Sequence, residues 1–112
     1  MIISIKELMN LERVLLEIDS RFKFDLDFVN AYKLHCYLRD IGDITNYAFE
    51  IQEEHYKYFS DNLKTKEYHA KVMNSSIDTN CKEIMEFVDK LLPNISGKDE
   101  EFDKIIKDIK FW

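Results

Sequence analysis

From Leu26 to Leu63 the chain has no proline and one glycine, Gly42, and its apolar residues keep a helical period on both sides of that glycine. Ala31, Leu34, Leu38 and Ile41 before it line up with Ala48, Gln52 and Phe59 after it at about 100° per residue. A stretch of this length and phase reads as one long helix with a weak point. A tight helical hairpin turning at Gly42, with Asp43 capping the second arm, is the other reading.

The rest of the sequence is organised around that run. Ser4 and Glu7 stand in capping-box spacing, and Ile5, Leu8, Leu11, Leu15, Ile18 and Phe22 form one stripe, predicting a helix over about 5–20. "FKFDLDF" reads as a connector, with Asp25 or Asp27 capping the next helix. Residues 67–73 alternate weakly at Tyr68, Ala70 and Val72, which leaves open a short strand, an extended segment or a frayed helix end. Asn80 and Glu83 make a second capping box, ahead of a stripe of Cys81, Ile84, Met85, Val88, Leu91 and Leu92 that Pro93 should end. The last helix should place Phe102, Ile105, Ile106, Ile109 and Trp112 on one face.

With two glycines and one proline in 112 residues, a β-sandwich or barrel full of tight turns is excluded. The expectation is a single all-α domain over residues 1–112: a small helical bundle built around one long central helix. Cys36 and Cys81 sit in helical patterns without a CxxC pair and read as free thiols. "MIISIKELMN" lacks a basic segment followed by a long apolar run, and no stretch approaches the ~20 apolar residues of a membrane span. The expected location is the cytoplasm.

Asp and Glu outnumber Lys and Arg by 22 to 16, for a net charge of −6. Direct non-specific binding to nucleic acid, which rewards basic surfaces, is therefore not expected. An acidic surface can instead serve as a decoy for a nucleic-acid-binding partner.

The stretch "YAFEIQEEHYKYF", residues 47–59, holds Glu50, Glu53, Glu54 and His55 together in sequence. On a helical wheel they part. With Ile44 at zero, Tyr47, Ile51, His55 and Tyr58 lie within about 60°, and Phe49, Gln52, Tyr56, Phe59 and Leu63 extend the same side to about 140°. Glu50, Glu53, Glu54, Lys57 and Asp61 take the opposite arc. A carboxylate-bridged di-iron site needs Glu-x-x-His, but Gln52, Tyr32 and Lys66 stand three residues before His55, His35 and His69. The histidine reads as an interior or boundary residue with a hydrogen-bond partner. The apolar arc covers roughly 200°, wider than one packing face needs. Tyr47, Phe49, Tyr56, Tyr58 and Phe59 are therefore the candidate partner-binding aromatic face, for a protein partner or self-association. Glu50, Glu53, Glu54 and Asp61 are the candidate acidic face.

Two resemblances accompany this reading. Residues 2–60, with Ala31-Tyr32-Lys33-Leu34 at their centre, resemble small helical proteins of bacterial viruses and prophages, which implies an accessory or assembly role in the host cytoplasm, or inhibition of a host defence protein. Glu50-Ile51-Gln52-Glu53 and Glu86-Phe87-Val88-Asp89 resemble the carboxylate pairs of MazG-type all-α nucleotide pyrophosphohydrolases. That implies a Mg²⁺ site on Glu50, Glu53, Glu86 and Asp89, the hard-cation chemistry expected of carboxylates spaced at i and i+3. No glycine-rich phosphate loop or zinc pattern is present, and the leading expectation is a non-catalytic protein without cofactors.

Overall fold

A computed structural model describes residues 1–109. The order is β1 (Ile2–Ser4), α1 (Ile5–Phe22), a single 3-10 turn (Lys23–Asp25), α2 (Phe28–Tyr58), α3 (Asn62–Asn74), β2 (Ser76–Asp78), α4 (Cys81–Ile95) and α5 (Glu100–Ile109). The fold is predominantly all-α, as expected. Trp112, assigned to the last apolar face, lies outside the described residues. Among those residues no helix is long and apolar enough to cross a membrane.

Helix α1 is the buried hub. Leu8, Leu11, Val14, Leu15 and Ile18 have no solvent exposure, and α2, α3, α4 and α5 all pack on this helix. Its start is capped by Ser4, whose hydroxyl accepts from the Glu7 amide at 3.1 Å. At its other end Phe22 meets the fully buried Phe102 of α5 edge-to-face, with centroids 4.9 Å apart. Arg21 fixes the same corner by bridging Glu17 and Asp99, each at 2.8 Å. The Phe102 amide and then the Arg21 guanidinium hold the Asp99 carboxyl below its ordinary range. Whatever stability this corner adds is therefore present above the ordinary aspartate range and is lost as pH falls through the lowered value.

Helix α2 runs unbroken through Gly42, capped at its start by Asp27, which accepts from the Asn30 amide at 2.7 Å. Its 31 residues would extend about 46 Å at 1.5 Å per residue, which accounts for the molecule's 47 Å long axis. Its buried positions, Leu34, Tyr37, Ile41, Thr45 and Ala48, form one narrow stripe. Thr45 is tolerated there because its hydroxyl donates to Glu12 of α1 at 2.7 Å.

The structure corrects several sequence expectations. Residues 67–73 form the C-terminal half of α3, so of the three readings the helical one holds and the strand and extended ones do not: Thr65, Tyr68, Val72 and Met73, the partly buried set, recur at helical spacing. The strand lies just beyond, where Ser76–Asp78 pairs antiparallel with Ile2–Ser4, Ile3 opposite Ile77. Such three-residue strands are too short to show a period. The long helix stops at Tyr58 rather than near Leu63, because Asp61 starts a new helix. Pro93 does not end α4. The backbone ladder resumes with Ser96 donating to the Leu92 carbonyl at 2.8 Å, and Ile95 is anchored in the core. Asn80 makes no side-chain cap; the Thr79 hydroxyl accepts from the Cys81 amide instead, at 3.1 Å. Both cysteines are free thiols.

Two substitutions test this framework by urea unfolding. A Cβ at Gly42 would meet only Asn46 Nδ2 at 3.9 Å and Glu12 Oε2 at 4.0 Å, both ordinary contacts. Gly42→Ala should therefore raise stability by about 0.5–1 kcal/mol, whereas a helix broken at Gly42 would be weakened by it. Leu11→Ala should cost about 3 kcal/mol through lost burial and the cavity left behind.

Candidate functional site: a two-helix arm

Beyond Ala48 the buried phase of α2 falls on Gln52, His55 and Phe59, none of which is fully buried. Their neighbour is α3, which carries no fully buried side chain of its own. The two segments form an antiparallel hairpin whose seam is polar and aromatic. His69 Nδ1 is hydrogen-bonded to the Gln52 side-chain oxygen, which accepts. Gln52 in turn donates from Nε2 to the Ala48 carbonyl at 2.8 Å. The His55 ring lies flat on Tyr68, 4.1 Å between centroids and 2° between planes, and the Phe59 ring sits 4.8 Å away. Lys64 Nζ stands 5.5 Å from the Phe59 centroid, within cation–π range. His55 is thus the boundary residue expected, but its buried Nδ1 has no hydrogen-bond partner among the described residues. Stacking on Tyr68 fixes the plane of the ring.

The five predicted aromatic residues are all exposed, from 47% at Phe59 to 84% at Tyr58, but they do not form one surface. The buried stripe runs down the middle of the predicted apolar arc and leaves two shoulders. Tyr47 and Tyr58 lie on one shoulder, and Phe49 and Tyr56, two turns apart, lie on the other, about 160° around the helix. Phe49 and Tyr56 flank an open notch of about 280 Å³ between α2 and α3, which Glu53, Lys57 and Thr65 also line. Tyr47 borders a separate depression with Ile44, Ile51 and Tyr68. Phe59 ends α2 and belongs to the seam.

Glu50, Glu53 and Glu54 occupy the outer face of α2 and are exposed. Asp61 is not part of that face. Its carboxylate caps α3, accepting from the amides of Leu63 and Lys64 at 2.8 and 3.3 Å.

The four carboxylates of the nucleotide-hydrolase resemblance are not brought together. Glu86 lines a groove with Lys33 and Tyr37, whereas Glu53 lies on the arm, sixteen residues further along α2 than Tyr37 and so about 24 Å away along its axis. Among the described residues no group of three or more His, Cys, Asp or Glu side chains is placed to hold a metal ion.

Sequence reasoning passed over a second exposed cluster at the other end of α2. Phe24 is 95% exposed and Phe28 83%, with Val29 and Tyr32 beside them, and the rings of Phe28 and Tyr32 stack 6.2 Å apart. The signal was available: Phe24, Phe28 and Tyr32 recur every four residues within the segment read as a connector and the helix after it.

The cap at Asp61 gives a direct test of the arm. Asp61→Ala should cost about 1 kcal/mol of local helix stability. The Cα chemical shifts of residues 62–66 should move toward random-coil values while those of α1 and α4 stay in place. The chain matches no protein-family model, no curated protein and no solved structure.

Proposed function

We propose that this chain is a non-catalytic interaction module whose two-helix arm docks on a protein partner. The observation that carries this reading is that α3 of the arm adds no fully buried residue to the core while the arm displays large apolar side chains. Helix α3 buries no residue fully, while Phe49, Tyr56, Tyr58 and Leu63 are exposed on or beside it. An aromatic anchor bordering a notch, with charges around it, is the arrangement in which few residues supply most of the binding energy.

The rim defines the partner's chemistry. Glu53 lines the notch beside Phe49 and Tyr56, and Glu50 and Glu54 are exposed further round α2, so the matching surface offers an apolar projection flanked by Lys or Arg. Two copies meeting through this notch would bring their acidic rims together, which favours a different protein over self-association. The same three glutamates support a second reading, an inhibitor that presents carboxylates in place of phosphates to a basic nucleic-acid-binding site. In either case the resemblance of residues 2–60 to phage and prophage proteins supports an accessory role in a bacterial host.

A photo-crosslinking residue in place of Tyr56, expressed in the native host, should give one discrete adduct, and the same residue in place of the exposed Lys82 on α4 should give none. Reversing Glu50, Glu53 and Glu54 to Lys should abolish the adduct without changing the helical circular dichroism. Equal adducts at both sites, or none at Tyr56, would contradict the arm as the docking element. An adduct that survives charge reversal would remove the acidic rim from the account.

A further inference from the structure

A groove on the other half of the molecule combines unpaired donors with carboxylates in a way the core does not require. It lies between the N-terminal half of α2 and α4, which run antiparallel here. Tyr37 donates its hydroxyl to Glu83 at 3.0 Å and sets its ring edge-on to Phe87, centroids 5.2 Å apart. Seven residues back along α2 and seven on from Phe87 along α4, Asn30 and Asn94 line the same groove. Lys33 and Lys90 fall at the level between, one from each wall, and both line this groove of about 300 Å³. Among the described residues neither lysine side chain nor either asparagine amide takes part in an ion pair or hydrogen bond. Glu86, one turn before Lys90 and about 6 Å from it along the axis, lines the groove beside Glu83.

Like charges held near one another raise each other's cost unless a counter-charge sits between them. Two lysines with two amide groups at hand suit an anionic group with several oxygens. A plain anion, however, would enter beside two carboxylates on a protein of net charge −6, and a plain cation would meet both lysines. A ligand carrying both charges, spaced like the residues, satisfies the whole lining, and the Tyr37 and Phe87 rings supply an apolar floor for the carbons between. Burial, and then the bond to Glu83, push the Tyr37 hydroxyl up to about 12, so it stays a donor and keeps Glu83 oriented at neutral pH.

We propose that this groove binds a small zwitterion, its phosphate or carboxylate between Lys33 and Lys90 and its ammonium about one helical turn away against Glu83 and Glu86. The site is independent of the arm and of the docking reading.

The test is an NMR and calorimetric titration of the full chain with O-phosphoethanolamine and with γ-aminobutyrate, set against inorganic phosphate and ethylamine. Either zwitterion should shift the amides around residues 30–37 and 83–94 saturably, and bind about tenfold tighter than phosphate or ethylamine alone. The ratio between the two zwitterions identifies the anionic group. Lys33→Ala with Lys90→Ala, both at exposed positions, should remove the binding while circular dichroism stays unchanged. Glu86→Gln should weaken the zwitterion and strengthen inorganic phosphate, a reversal that loss of fold cannot produce. The proposal is overturned if the shifts do not saturate, if phosphate alone binds as tightly as the zwitterions, or if Glu86→Gln changes both ligands in the same direction.

Discussion

Five side chains of α1, Leu8, Leu11, Val14, Leu15 and Ile18, are removed from water completely, and the positions of the other helices follow from covering them. No helix here can bury an apolar face alone. Helix α4 brings Ile84 and Val88, α5 brings Phe102, and the first two-thirds of α2 brings Leu34 and Ile41. Each of those buried groups contributes roughly 1.5–3 kcal/mol relative to exposure. Charged and polar contacts refine this arrangement without creating it: Thr45 meets Glu12 inside the interface, and Arg21 ties α5 to the end of α1.

Because α1 is only 18 residues long and α2 is 31, the hub cannot cover the full length of its longest neighbour. Past Ala48, α2 runs beyond the apolar part of the core, and its inward positions change from aliphatic to Gln52 and His55. A second helix folds back on it there, held by stacking and amide hydrogen bonds rather than by aliphatic burial. That mismatch in length is the physical origin of the arm. It also explains why the arm's aromatic side chains remain in solvent: among the described residues no further helix covers them. In the other half a groove lies between α2 and α4, lined by polar and charged side chains over the Tyr37 and Phe87 rings.

Much of this architecture was legible in the sequence. The stripes of α1 and α4 are apolar at every buried turn, and the unbroken phase across Gly42 announced one long helix. What escaped were features settled by contacts distant in sequence. The seam of the arm depends on Tyr68 and His69 returning to His55 and Gln52, a pairing no local period encodes. The β1–β2 pair joins residues more than seventy positions apart. Proline punctuation misled at Pro93, where core burial of Ile95 overrides the missing amide. The wheel separated His55 correctly from Glu50 and Glu53, yet treated a wide apolar arc as one face. The arc has a buried centre with exposed shoulders, because neighbouring helices cover only a narrow stripe. The exposed Phe24, Phe28 and Tyr32 straddle the boundary between the connector and α2, so their four-residue spacing belongs to no single element.

The central claim is that one cooperative core built on α1 supports an arm held by weaker contacts. Native-state hydrogen exchange, followed residue by residue in low denaturant, tests it most directly. Amides of α1 and α4 should exchange only through global unfolding. Those of α3 and of residues 49–58 in α2 should exchange through a local opening of markedly lower free energy and weaker denaturant dependence. Protection of α3 equal to that of α1, with the same denaturant dependence, would contradict the division into core and arm.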